Sequence, residues 1–197
     1  MWMSNWFRIY GFADIFDDLL IGAYPLDGDD VATLSQLGVE QVMNLVEDDE
    51  YKPGARDEVG LALERSHIPE SRICLTDLGD LPAEAFEEAV QQVLESLGQG
   101  RRTYVHCRAG WQRSAAVAAG VVALRSGMEI DDAVDFVRSR KPNADPLPHQ
   151  RDDLRAWWAS RGGQGDAPPA KREADASDAS AHPAVELRDV RGGTPRG

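Results

Sequence analysis

The stretch Thr103-Tyr104-Val105-His106-Cys107-Arg108-Ala109-Gly110-Trp111-Gln112-Arg113-Ser114 decides the fold. Thr103 to His106 reads as a buried strand. Arg113 to Ser126 is rich in Ala and Val, so it reads as a helix buried on most sides, and Gly127 stops it. A tight loop joins the two. Such a loop turns its backbone N–H groups toward one point, and the helix start adds unsatisfied N–H groups and the positive end of its dipole. The result is a cradle for a phosphate dianion. Gly110 supplies the positive φ that a tight loop requires. Arg113 can hold two phosphate oxygens in parallel, as Lys could not. A thiol at the base of the cradle feels the same positive field, which favours the thiolate, the form that attacks phosphorus.

Working outward, strands and helices alternate. Asp18 to Ala23 reads as a short strand before the turn Tyr24-Pro25, Asp29 to Leu37 as a helix stopped by Gly38, and Val39 to Val46 as a buried strand. An acidic loop follows, with Pro53-Gly54 in it. Ala55 to Ser66 is a helix and Arg72 to Thr76 a strand. Pro82 to Leu97 is a helix with the apolar stripe Phe86, Val90, Val93, Leu94 and Leu97, ended by Gly98. Beyond the central helix, Asp131 to Arg140 and His149 to Ser160 complete the set. The pattern predicts an α/β fold, a central, mostly parallel sheet flanked by helices, over residues 1–161. Residues 162–197 are Gly, Ala, Pro, Asp, Ser and Arg with few large apolar side chains, and predict a disordered, solubilising tail.

The 197 residues carry a net charge of −13. That balance excludes nucleic-acid binding through phosphate contacts and docking on an anionic membrane through a broad basic face. Two cysteines, Cys74 and Cys107, imply no disulfide framework, and no Cys or His pair has zinc-ligand spacing. The N-terminus reads as no signal peptide, and the longest apolar run, Ala115 to Leu124, is too short to span a bilayer. The expectation is a cytoplasmic protein with no stable membrane insertion, its oligomeric state open.

His106-Cys107-x-x-Gly110-x-x-Arg113-Ser114 resembles the signature loop of the protein tyrosine phosphatase superfamily, Cys-x5-Arg followed by Ser or Thr. Trp6-Phe7-Arg8-Ile9, Leu20 to Pro25, Gly38 to Leu45 with Glu47, and Arg138 to Pro142 extend the resemblance to the dual-specificity phosphatases most like the mitochondrial phosphatidylglycerophosphate phosphatase. The resemblance implies that fold and a phosphomonoester hydrolase needing no metal or cofactor. Cys107 is then the nucleophile that forms a phosphocysteine, and Arg113 clamps the phosphoryl oxygens. Ser114 hydrogen-bonds the sulfur as it leaves, His106 orients the loop, and Arg108, Ala109, Gly110, Trp111 and Gln112 line the phosphate. A general acid is expected on the loop after the preceding strand, where Asp77 matches the family position better than Asp80. The substrate is a phosphorylated protein or a phospholipid, the former preferred by a small margin. A non-catalytic phosphate-binding module and a rhodanese-type sulfurtransferase are the competing readings.

Some residues depart from the family pattern or stand outside it. Trp111 and Gln112 replace the small, polar or basic residues of many relatives, which weakens an inositol-polyphosphate assignment. Trp111 reads equally as a wall of the pocket mouth and as packing against a neighbouring loop. Arg108 reads as an outward, solvated charge. Leu147 stands where many relatives have Asn, so support for the loop is expected from elsewhere. Cys74 reads as an inert core cysteine in preference to a reversible disulfide partner of Cys107.

Overall fold

The computed structural model describes residues 3–162. The expected tail lies outside the described residues apart from Gly162. Five strands form one sheet: β1 (Phe12–Phe16), β2 (Leu19–Ala23), β3 (Gln41–Asn44), β4 (Glu70–Arg72) and β5 (Thr103–Cys107). Their spatial order is β1-β2-β5-β3-β4. β1 runs antiparallel to β2, and every other neighbouring pair is parallel. Parallel neighbours need crossover connections. α2 (Gly28–Gln36), α3 (Ala55–Arg65) and α4 (Ala83–Gly98) occupy the three crossovers. After β5 the chain continues through α5 (Arg113–Ser126), α6 (Ile130–Arg140) and α7 (Pro148–Ser160).

Side-chain alternation along the strands divides the interior into two layers. Leu19, Ile21, Met43, Val105 and Cys107 face α4, α5, α6 and α7. Leu20, Val42 and Tyr104 face the opposite layer, formed by Phe7 of α1 (Asn5–Tyr10), Val31 and Leu34 of α2, and Val59 and Leu63 of α3. The apolar stripe of α4 is buried as its spacing predicts, and α5 is buried on all sides from Arg113 to Leu124. β5 is therefore the middle strand of a two-sided core, and its C-terminal end carries Cys107.

The N-terminal segment differs from the expectation. α1 and β1 precede the first strand that the sequence predicts. β1 pairs with β2 across the turn Asp17-Asp18, with a register shift between Asp14 and Phe16. α1 is tied to α2 by a buried carboxylate: Ser4 donates from N and from Oγ to Asp30, at 2.7 Å each, and Leu26 N donates to Asp30 at 2.8 Å. Burial pushes the Asp30 carboxyl up from its usual range, and these hydrogen bonds oppose it.

The strand expected at Arg72–Thr76 is displaced. β4 is Glu70–Arg72, because its ladder pairs Val42 with Glu70, Met43 with Ser71 and Asn44 with Arg72, and stops where β3 stops. Ile73 N to Asn44 O at 3.0 Å and Leu75 N to Leu45 O at 3.1 Å carry the chain on beside Leu45. Alternation along this stretch turns Cys74 outward. It is exposed, with its Sγ 3.5 Å from Val46 O, and is not a core cysteine.

Candidate active site

The loop from Cys107 to Arg113 sits against β2. Tyr24 N donates to Arg108 O at 3.3 Å. Gly110 has φ of 72°, and a Cβ there would lie 2.3 Å from the backbone carbon of Gly22. Gly22 is equally confined: its own Cβ would lie 2.3 Å from the Tyr104 hydroxyl and 2.7 Å from Gly11 O. Gly110 thus lets the loop lie directly on the strand, while Gly22 leaves room for the Tyr104 hydroxyl and the Gly11 carbonyl. On the other side, Asp145 N donates to Trp111 O at 2.6 Å.

Cys107 is 3% exposed and lies at the floor of a cleft of about 240 Å³. Its Sγ is 3.4 Å from Ser114 Oγ. Trp6, Tyr10, Asp77, Leu78, Arg108 and Trp111 form most of the cleft wall. Trp111 therefore fits the reading as a wall of the pocket mouth, and its ring meets the end of α1 in place of a neighbouring loop. It lines the mouth, and its ring packs 5.3 Å from that of Tyr10. Ala109 and Gln112 also border the cleft.

Arg113 is fully buried. Its Nη1 and Nη2 donate to the two carboxylate oxygens of Glu50, at 2.6 and 2.7 Å. Nη1 also reaches Leu75 O at 2.7 Å and Leu45 O at 3.3 Å, while Nη2 reaches Asp77 Oδ1 at 2.8 Å. Burial opposes the guanidinium charge, but hydrogen bonding to Glu50 and the negative charges of Cys107, Glu50 and Asp77 outweigh it and raise its pKa above the usual value. Nε, the remaining donor, is buried without a partner. An orphaned buried N–H is costly, and this one keeps a donor of Arg113 unused.

Glu50 is the functional residue that the sequence reading missed. It ends a single 3-10 turn, Asp48–Glu50, directly after β3. The acidic run Glu47-Asp48-Asp49-Glu50 reads in sequence as a solvated loop. The available signal was its place after a strand next to β5, where a buried Arg needs a counter-charge.

The two candidate acids separate clearly in space. Asp77 borders the cleft, bound to Arg113 and 3.5 Å from Arg108. Asp80 is exposed, with His149 3.9 Å away. Arg108 is half exposed as expected, but it is paired with Asp77 and not free. α7 holds the loop around Asp77: Gln150 Nε2 donates to Gly79 O at 2.7 Å, and Leu81 N donates to Asp153 at 2.8 Å. The phosphate loop, for which Leu147 offers no side-chain donor, is instead held by Asp145 N on Trp111 O. His106 lies under the loop, with neither ring nitrogen in a hydrogen bond of normal geometry. Burial holds its imidazole down to about 3, against a weak opposing effect of the Cys107 backbone, so the ring is neutral.

The catalytic-domain model of the dual specificity phosphatases matches residues 20–159. The chain belongs to this family. Among the dual specificity phosphatases and their kin, the phosphatidylglycerophosphate phosphatase PTPMT1 of Arabidopsis thaliana is 32% identical over 126 residues. That match covers 63% of this chain and 35% of the relative, so the chain spans about a third of the relative's length. Solved structures with the same fold include PTPMT1 in complex with PI(5)P, with a TM-score of 0.66 and 20% identity over 76% of this chain and 95% of that one. Tk-PTP in its active form gives 0.65 and 21%, over 74% and 95% of the two chains. Human DUSP28 gives 0.60 and 19%, over 77% and 95%.

Proposed function

We propose that this chain hydrolyses phosphomonoesters through a phosphocysteine on Cys107, without a metal. The observation that supports the reading most is that Cys107 and Asp77 line one cleft, with Ser114 Oγ 3.4 Å from the Cys107 sulfur and the buried Arg113 bound to Asp77. The Cys107 thiolate attacks phosphorus, an S–P bond forms, and the bond to the leaving oxygen breaks. The loop amides and Arg113 hold the three equatorial oxygens. A phosphate that takes up Arg113 competes with Asp77 for Nη2; the released Asp77 carboxylate takes a proton from solvent and gives it to the leaving oxygen as the bond to phosphorus breaks. In the second step Asp77, now a carboxylate, takes a proton from water as the water oxygen attacks phosphorus. The S–P bond then breaks, and Ser114 donates a hydrogen bond to the departing sulfur.

The substrate we favour is a phospholipid monoester. Three of the exposed large apolar side chains, Ile9 (72%), Leu78 (60%) and Trp111 (37%), belong to elements that form the cleft mouth, α1 and the two site loops. Exposed apolar side chains gathered around a cleft mark a contact site for an apolar body. The phosphatidylglycerophosphate phosphatase relative supports the same choice, which reverses the small sequence-based preference for phosphoprotein. A phosphotyrosine ring would also stack on Trp111 and Tyr10, so a tyrosine-phosphorylated peptide is the second reading.

The test is phosphate release in EDTA from phosphatidylglycerophosphate in phosphatidylcholine vesicles, from a phosphotyrosine peptide and from an aryl phosphate, by wild type and Cys107→Ser. Release by wild type alone, with kcat/KM highest on the lipid, is expected. Equal release by Cys107→Ser would overturn the mechanism, and a higher kcat/KM on the peptide would overturn the lipid choice.

A further inference from the structure

Among the described residues, two that are not glycine have positive φ: His67 at 55° and Leu78 at 59°. His67 follows the end of α3, and its N donates to Glu64 O at 3.0 Å. A left-handed residue is a common way to end a helix, so its conformation serves the fold. Leu78 has a different setting. It is the third residue of the turn 76–79, which Gly79 N closes on Thr76 O at 3.1 Å. In this turn φ is positive at Leu78 and not at Asp77, a geometry that calls for Gly or Asn at the third position. A leucine there is strained, because its Cβ crowds the main chain. Burial does not offset the strain, since Leu78 is 60% exposed.

The turn is held at both ends. Asp77, the residue before, is bound to Arg113 at 2.8 Å. Gly79 O, the residue after, accepts from Gln150 Nε2 of α7 at 2.7 Å, and Leu81 N donates to Asp153 at 2.8 Å. The strained leucine is thus fixed beside the acid of the site, and it lines the cleft that holds Cys107. Its surroundings there are partly apolar. Trp6, Tyr10 and Trp111 line the same cleft as a run of rings, 4.2 Å from Trp6 to Tyr10 and 5.3 Å from Tyr10 to Trp111. Asp77, Arg108 and Gln112 supply the polar part of the lining. Strained residues persist where the surrounding structure fixes them, and they gather at ligand sites. A cleft with phosphate-binding groups and apolar side chains together suits an amphipathic ligand.

We propose that Leu78 is a specificity-determining residue: the turn presents its side chain to the apolar chain of a phosphomonoester whose phosphate sits over Cys107. The proposal rests on the phosphate-binding reading of the cleft. Its test reads binding and not turnover. Methyl-, butyl- and octylphosphonate share one head group and have no ester bond to cleave. Their dissociation constants are measured by titration calorimetry on the full chain, for wild type, Leu78→Asn and Leu78→Met, beside a thermal melt of each. A fully buried methylene tightens binding about fourfold and a half-buried one about twofold, so the wild type should bind octylphosphonate about 16-fold tighter than butylphosphonate. Asn removes the apolar side chain and tolerates the left-handed turn position. Leu78→Asn should therefore bring that ratio down to about fourfold or less, with a melting midpoint at or above that of wild type. Leu78→Met keeps an apolar side chain and should keep the wild-type ratio. A Leu78→Asn variant that keeps the wild-type ratio, or binds all three ligands more weakly by one factor, overturns the proposal. So does a lowered midpoint or a failure to fold, which would show that the leucine serves the fold. A wild type that binds methyl- and octylphosphonate equally overturns it and leaves the phosphate site standing, whereas a wild type that binds none of the three overturns both.

Discussion

Replacing Glu50 with Gln removes half of a bidentate ion pair in which Arg113 is 1% and Glu50 7% exposed at the side chain. Breaking a buried pair by neutralising one partner costs about 3–5 kcal/mol, because the other charge stays buried. Here Arg113 keeps Asp77, Leu75 O and Leu45 O, so the expected loss lies at the lower end, about 3 kcal/mol. With a urea m-value of about 2 kcal/mol/M, that moves the unfolding midpoint down by about 1.5 M. The catalytic effect has a separate cause. Without Glu50 the guanidinium leans on Asp77, so it is misaligned for phosphate and Asp77 is held back from the leaving oxygen. A fall in kcat/KM of about 100-fold, with weaker vanadate inhibition, is expected. Urea denaturation and steady-state kinetics on an aryl phosphate read the two effects independently. A folded Glu50→Gln variant with wild-type midpoint and wild-type vanadate inhibition would show that Glu50 does not hold Arg113 and would refute the reasoning.

Three further outcomes are expected. Gly110→Ala should lose at least about 100-fold in kcat, since its Cβ meets Gly22 backbone and its φ is positive; rates measured beside a thermal melt separate a distorted loop from an unfolded chain. Asp77→Asn should slow alkyl phosphates far more than p-nitrophenyl phosphate, whose leaving group needs little acid help, while Asp80→Asn should leave both rates within about twofold of wild type. His106 is held neutral in the fold at about 3 against 6.5 for the free side chain, so the unfolded chain binds more protons between those values. Its contribution to stability is therefore lost as pH falls from 6.5 toward 3, by about 2 kcal/mol at about pH 5, and His106→Phe should flatten that part of a urea-midpoint profile.

The middle of the molecule was legible because its pattern is local. A strand, a Gly-bearing loop and an Ala- and Val-rich helix follow one another within 24 residues from Thr103 to Ser126, and the α4 stripe repeats at helical spacing. What escaped depends on residues far apart. Glu50 meets Arg113 across 63 positions, and no local pattern marks an acidic run as the counter-charge of a buried Arg. β1 is an edge strand whose alternation is broken at Asp14 by a register shift, so it carries little strand signal. The apolar residues Ile73 and Leu75 mimic a strand, but pairing is set by where β3 ends, and the same alternation puts Cys74 in solvent. Asp77 and Asp80 are three residues apart and chemically alike. Contact with Arg113 distinguishes them, and that contact is tertiary.

The close approach of Gly110 to the Gly22 backbone has a consequence for how this protein can change over generations. When a large residue grows in most cores, a neighbour can shrink to make room. At Gly110 the neighbour across the contact is already the smallest residue, and what a new methyl would strike is main chain. Gly110 therefore has no compensating partner substitution. A lineage that alters it must rebuild strand and loop together, so the chemistry of Cys107 is bound to the backbone path of a strand that supplies no reacting group.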